Sequence, residues 1–267
     1  MYKTSFRILI PLLLLLTGIV EQNGFAETAS TVSEQNSNAE EILKNADDVR
    51  APWPDFTMAA TLSYENRSEQ KRDVFRVFIK NRTKTLVSYI EPVKQRGNML
   101  LMLNDNLWYY VNKTQRPMRI TPIQKLSGAA SYGDITKLSW SRDYLAAIES
   151  EQSVTVKQQS YETWLLKLTA RSKSATYHKI DLYVEKGTCY PRKAIVFLQS
   201  GKKMKTMYFT GYTKNAGKIM NTKIEFIDHL ASDKVTTLAF SKVVVKKSPD
   251  GFFLQSSLPS LYSEVVY

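Results

Sequence analysis

Two histidines, one cysteine and a scatter of acidic and basic side chains are what this 267-residue chain offers for chemistry. His178 and His229 stand far apart, the first on the apolar side of an alternating run and the second after Asp228 at a run's end. A lone strand histidine is a structural residue far more often than a ligand, and no Cys, His or Asp has metal-ligand spacing. Cys189 lacks the His or Lys neighbour of a nucleophile motif, and a single cysteine forms no intrachain disulfide. The carboxylate pairs Glu40-Glu41 and Asp47-Asp48 are adjacent rather than facing, so they do not supply an acid and a base across a substrate. GxSxG, a Gly-rich phosphate loop and HExxH are all absent from the sequence. The expectation is no catalytic residue, no metal and no cofactor.

What remains is binding, and the stretch from Val87 to Thr121 is built for it. Two apolar runs, Met99 to Leu103 and Leu107 to Val111, flank Asn104-Asp105-Asn106. Asn and Asp tolerate the left-handed conformation, so the joint reads as a hairpin turn. With a two-residue loop, Leu101 and Leu103 share one face with Trp108 and Tyr110, because side chains alternate along a strand. Leu100, Met102, Leu107, Tyr109 and Val111 occupy the other. A sheet wet on one side alternates more cleanly than this. The second face must be covered by a helix of the same chain or by a ligand.

Composition sets the frame. Hydrophobic residues make up 43% of the chain and aromatics 11%, with fifteen tyrosines, which suits a β-rich fold with a sizeable core. The formal net charge of +12 fits anionic partners or simply a solvated surface. No zinc-finger, RRM or helix-turn-helix signature accompanies that charge, so nucleic acid is not expected.

Residues 1–26 read as a signal peptide: Lys3 and Arg7 precede an apolar Ile8 to Val20, with Gly24 and Ala26 at the cleavage region. The run is short against the roughly 20 residues of a membrane span. Residues 27–38 are a polar, flexible lead-in. Ala39, Ile42, Leu43, Ala46 and Val49 then form one helical stripe, with Asn38 as cap and Pro52 and Pro54 as stop. That helix packs on a sheet or plugs a cavity. Thr57 to Tyr64, Asp73 to Lys80 and Lys84 to Ile90 read as consecutive hairpin strands. A short helix is expected at Ile123 and Leu126, a loop over Ser127 to Asp134, and a second helix from the four-residue spacing of Trp140, Tyr144 and Ile148. Seven further strands follow up to Lys234–Val245, with no linker that would divide residues 39–267.

The ordered series EP…RG…LL…LWYY…R…RI, then SYGDI and WSRDYL, resembles the outer-membrane lipoprotein-sorting (LolA-like) proteins over about Ala46 to Tyr144. The resemblance implies a mainly β fold, a strongly curved antiparallel sheet or unclosed half-barrel of about ten or eleven strands, wrapping and capped by α-helices. It implies a monomeric periplasmic carrier, with an inner-membrane transporter as donor, that moves lipid or lipoprotein acyl chains toward the outer membrane. A lipid- or lipoprotein-sensing module of the same fold is the alternative. Under this reading Leu101, Leu103, Trp108, Tyr110, Ile123, Trp140 and Tyr144 line a shared hydrophobic cavity. Arg96, Arg116 and Arg119 stand where an arginine would hold a lid's carbonyls or meet a headgroup. The reading requires an interior larger than the chain's own helices fill.

Overall fold

A computed structural model describes residues 38–66, 68–231 and 235–266. The expected signal peptide and the lead-in up to residue 37 lie outside the described residues. Helix α1 (38–50) begins the described fold, with Asn38 already inside it rather than capping it. Ala39, Ile42, Leu43 and Ala46 are buried, so the apolar stripe packs as its spacing requires.

Two antiparallel meanders follow. The first comprises β1 (Phe56–Asn66), β2 (Glu69–Lys80), β3 (Lys84–Glu91), β4 (Met99–Leu103), β5 (Asn106–Val111) and β6 (Arg116–Ile120). The short pair β7 (Lys125–Ser127) and β8 (Ala130–Ser131) then leads into α2 (Tyr132–Thr136). The second meander comprises β9 (Tyr144–Val156), β10 (Gln159–Ala170), β11 (Lys179–Glu185) and β12 (Pro191–Phe197). It continues with β13 (Lys203–Asn215), β14 (Lys218–Asp228) and β15 (Val235–Val244). Two 3-10 turns, Asp250–Phe253 and Gln255–Ser260, and α3 (Tyr262–Val266) end the described chain.

Pairing of β1 with β15 zips the meanders into one 13-stranded sheet whose edges are β6 and β9. The sheet is not closed into a barrel. Arg116, Pro117 and Arg119 occupy the β6 edge, residues that resist pairing with another chain. Between those two edges the chain leaves the sheet, and residues 121–143 become a cover.

The main core lies on one face, where Phe56, Met58, Phe75, Leu100, Leu182, Phe209 and Phe226 pack with α1, Ile135 and Trp140. A second core lies on the other face, where Phe78, Leu86, Leu101 and Tyr110 meet Phe253, Leu258, Leu261 and Val265 of the C-terminal segment.

Several expectations change. Residues 144–156 form a strand, not a helix, and the reason is arithmetic: a four-residue spacing is also twice the strand period of two. Tyr144 and Ala146 are buried while Leu145 is exposed, which is strand alternation. The sheet holds thirteen strands against the expected ten or eleven. Residues 125–127 are β7, and α2 starts inside the expected loop. His178 is exposed just before β11 rather than on its apolar face.

Candidate functional site

The concave face and its cover are the candidate site. Residues 38–50 and 121–143 roof an apolar floor, and a set of buried polar groups fastens them to it. Ser131 and Asp134 form a capping box at the start of α2, with the Ser131 amide donating to Asp134 at 2.8 Å. Lys205 reaches up from β13 and donates to Asp134 at 2.9 Å, to Ser131 Oγ at 3.1 Å and to the Ala129 carbonyl at 2.7 Å. Its side chain is 1% exposed. Burial pushes the Lys205 ammonium below its usual pKa, and the Asp134 carboxylate pulls it back up. Tyr177 donates from its hydroxyl to Asp134 at 2.7 Å, while its own amide donates to Tyr144 Oη at 3.0 Å.

A second fastening joins α1 to the cover. The Asp47 carboxylate accepts from the amides of Trp140 at 2.7 Å and Ser141 at 2.8 Å, and from Ser139 Oγ at 2.8 Å. Arg50 lies 3.7 Å over the Trp140 ring and donates to the Lys137 carbonyl at 3.5 Å. Burial raises the Asp47 carboxyl above its ordinary value, and Arg50 opposes this. Gly133 lets α2 lie close: a Cβ there would meet Thr176 Oγ1 at 2.1 Å. Cavities along this seam have volumes of about 20 and 10 Å³. A water needs about 10–15 Å³, so neither admits more than a solvent molecule.

The expected lining residues divide between the two faces. Trp140 and Tyr144 belong to the main core, Trp140 edge-on to Phe209 at 5.6 Å. Leu101 and Tyr110 belong to the outer core, with Leu103 and Trp108 packed against it. Trp108 and Trp140 therefore share no hollow, and the reason lies in the last twenty or so residues, which cover the Trp108 face. The opposite hairpin row, Leu100, Met102 and Leu107, is the one that faces α1 and the cover. Ile123 is exposed while Leu126 packs inward. Arg96 donates to the Ile90 carbonyl at 3.0 Å, within its own turn. Arg119 hydrogen-bonds Asn106 on the neighbouring strand, and Arg116 is exposed.

Lys205, Asp134, Tyr177 and Arg50 were not among the residues singled out from the sequence, and Asp47 was weighed there only as half of an adjacent carboxylate pair. Ser131-x-x-Asp134 was a readable capping box, and Lys205 shares an alternating row with Met207 and Phe209. A charge in such a row signals a buried partner.

A family model described as "-like: Uncharacterized protein" matches residues 81–260. Comparison with curated proteins gives no match. Among solved structures, a LolA superfamily protein from Nitrosomonas europaea is 26% identical with a TM-score of 0.74, covering 81% of this chain and 97% of its own. A DUF1329 family protein from Desulfovibrio piger is 17% identical, with a TM-score of 0.72 and coverages of 84% and 99%. A domain from Vibrio parahaemolyticus described by its outer membrane lipoprotein-sorting role is 18% identical, with a TM-score of 0.71 and coverages of 84% and 99%. The chain belongs to the family that this model describes, and its fold is that of the LolA-like, outer-membrane lipoprotein-sorting proteins.

Proposed function

We propose that the protein is a periplasmic carrier that takes acyl chains of lipoproteins or other lipids against its concave face and moves them toward the outer membrane. The likeness to LolA-like structures supports the class of cargo. The observation that carries the mechanism is the way the concave face is roofed. Residues 121–143 bridge the two free edges of the sheet and join it through a few ionic and hydrogen-bonded contacts beside buried Ile135, Leu138 and Trp140, while the floor beneath is apolar. A cover held at discrete points opens as a unit, and an acyl chain supplies about 0.8 kcal/mol per buried methylene to hold it open. The seam cavities described above are too small for an acyl chain, so cargo that enters there displaces α1 or residues 121–143 from the floor. An inner-membrane donor and a monomeric carrier complete the proposal.

The test is native mass spectrometry of the mature protein, followed by transfer of labelled lipoprotein between donor and acceptor vesicles. Co-purified lipid and accelerated transfer are expected. Lipid binding without transfer would favour a sensing module instead, and an empty protein that takes up no lipid would remove both. A cysteine pair joining α2 to β13 across the seam should block uptake when oxidised and restore it when reduced.

A further inference from the structure

The outer face of the sheet carries an incompletely filled hollow. Over β4 and β5 the C-terminal segment packs closely, with Leu258 and Val265 fully buried. Toward β1, β2 and β15 it lifts away and encloses about 450 Å³. That lies within the roughly 300–1,000 Å³ of small-molecule sites. Ala59, Val74, Phe78 and Val244 form an apolar floor, and Phe252 and Val266 lie across from it. Phe78 and Phe252 meet edge to face at 5.2 Å, closing one end.

The polar lining is mostly basic. Lys242, Lys246, Lys247 and Arg76 line the hollow and, among the described residues, face a single acidic side chain, Glu264. Lys242 has a φ of 51°, in the left-handed region, at a bulge where the register passes from Ala59↔Ser241 to Thr57↔Val244. Bulges re-aim side chains, and a lysine held in this conformation bears strain that a regular strand would avoid. Ser248 also lines the hollow; it is 5% exposed, and its buried hydroxyl has no hydrogen-bond partner among the described residues. Buried hydroxyls are nearly always paired, and this one lines the same hollow as three lysines, where an anionic acceptor would pair it.

We propose that this hollow binds a single-chain anionic lipid, its alkyl tail on the Ala59–Val74–Phe78 floor and its carboxylate or phosphate headgroup between Lys242, Lys246 and the Ser248 hydroxyl. An inorganic anion would leave the apolar floor unused, and a neutral amphiphile would leave the lysines and Ser248 unmatched. The site lies across the sheet from the concave face and does not depend on carriage there.

The full mature chain titrated calorimetrically with dodecyl phosphate, below its micelle concentration, tests the assignment. One saturable site is expected, with inorganic phosphate and the neutral dodecyl maltoside each at least about tenfold weaker. Ala59→Trp fills the hollow and should weaken dodecyl phosphate about tenfold or more. Lys242→Glu with Lys246→Glu should weaken dodecyl phosphate similarly while leaving dodecyl maltoside unchanged, which separates lost recognition from lost folding. Inorganic phosphate binding as tightly as dodecyl phosphate would reduce the site to an anion patch and overturn the proposal. Unchanged affinity in Ala59→Trp would place the lipid elsewhere and overturn it too. Uptake of labelled lipoprotein by Ala59→Trp reports on the concave face alone, so the two readings fail separately.

Discussion

The two faces of the sheet are closed by different means. On the concave side the roof is fastened by Lys205, Asp134, Tyr177 and Asp47, all buried, beside the core contacts of Ile135, Leu138 and Trp140. On the outer side the C-terminal segment is held by Phe253, Leu258, Leu261 and Val265, and beside them a hollow remains. Apolar packing is non-directional and adds up with area, so it tolerates a partial fit. A buried ion pair is satisfied or it is costly, so its geometry is close to all-or-none. One closure therefore behaves as a latch and the other as padding.

Breaking the latch should have the largest effect. Lys205→Met leaves Asp134 buried without its cation, and loss of one partner of such a pair costs about 3–5 kcal/mol. Urea unfolding followed by fluorescence measures this, and Lys205→Met with Asp134→Asn should recover much of it. A loss below about 1 kcal/mol for the single variant would mean that the pair is solvated and the latch is not dry. The padding is probed by Leu258→Ala, expected to cost roughly 2–5 kcal/mol of local packing. Here the damage should stay local: amide exchange rises over residues 246–266 while β10 to β14 keep their protection. Gly97 offers a second probe, since its φ is +82° and a Cβ there would meet the Tyr262 ring at 2.4 Å. Gly97→Ala should loosen α3 without touching Lys205. Global unfolding in either outer-face variant would show that the two closures are not independent.

Tyr177→Phe sharpens the picture of the latch itself. It removes a hydroxyl that donates to the Asp134 carboxylate at 2.7 Å, a bond to a charged group worth about 1.5–3 kcal/mol. Thermal unfolding with lipid uptake checks it. Stability should fall and uptake should rise, because the same contact opposes opening. A fall in both would make Tyr177 a plain core residue.

Much of the fold was legible because strand alternation is a strong signal. Phe75, Val77 and Ile79 share the core face, and Ile180, Leu182 and Val184 do likewise, as their period of two requires. Trp140 to Ile148 misled because a spacing of four satisfies both periods. The hairpin's two faces were read correctly, yet which one looked inward was not readable from Leu101 or Trp108. Both rows are apolar, and the choice rests on where residues 246–266 travel, which is a property of the whole chain. The latch was half visible: Ser131 and Asp134 announce a helix start, but their bond to Lys205 spans more than seventy positions and leaves no local trace.

The smallest effect concerns acidity and separates the two fastenings within the roof. Burial raises the Asp47 carboxyl above 3.8, so the folded chain holds that proton more tightly than the unfolded chain does. Between 3.8 and the raised value the native state binds more protons, and stability contributed by this group rises as pH falls through that window. Asp47→Asn cannot titrate, so the stability of the unaltered protein relative to Asp47→Asn should increase on going from neutral toward pH 3.8. Parallel denaturation curves of the two proteins over that range measure the difference. A flat difference would mean that the charged Asp47, accepting from Trp140, Ser141 and Ser139, is already as well solvated by the cover as by water. In that case α1 would be fixed to the roof as firmly in acid as at neutrality, and only the Lys205 side of the latch would be left to govern opening.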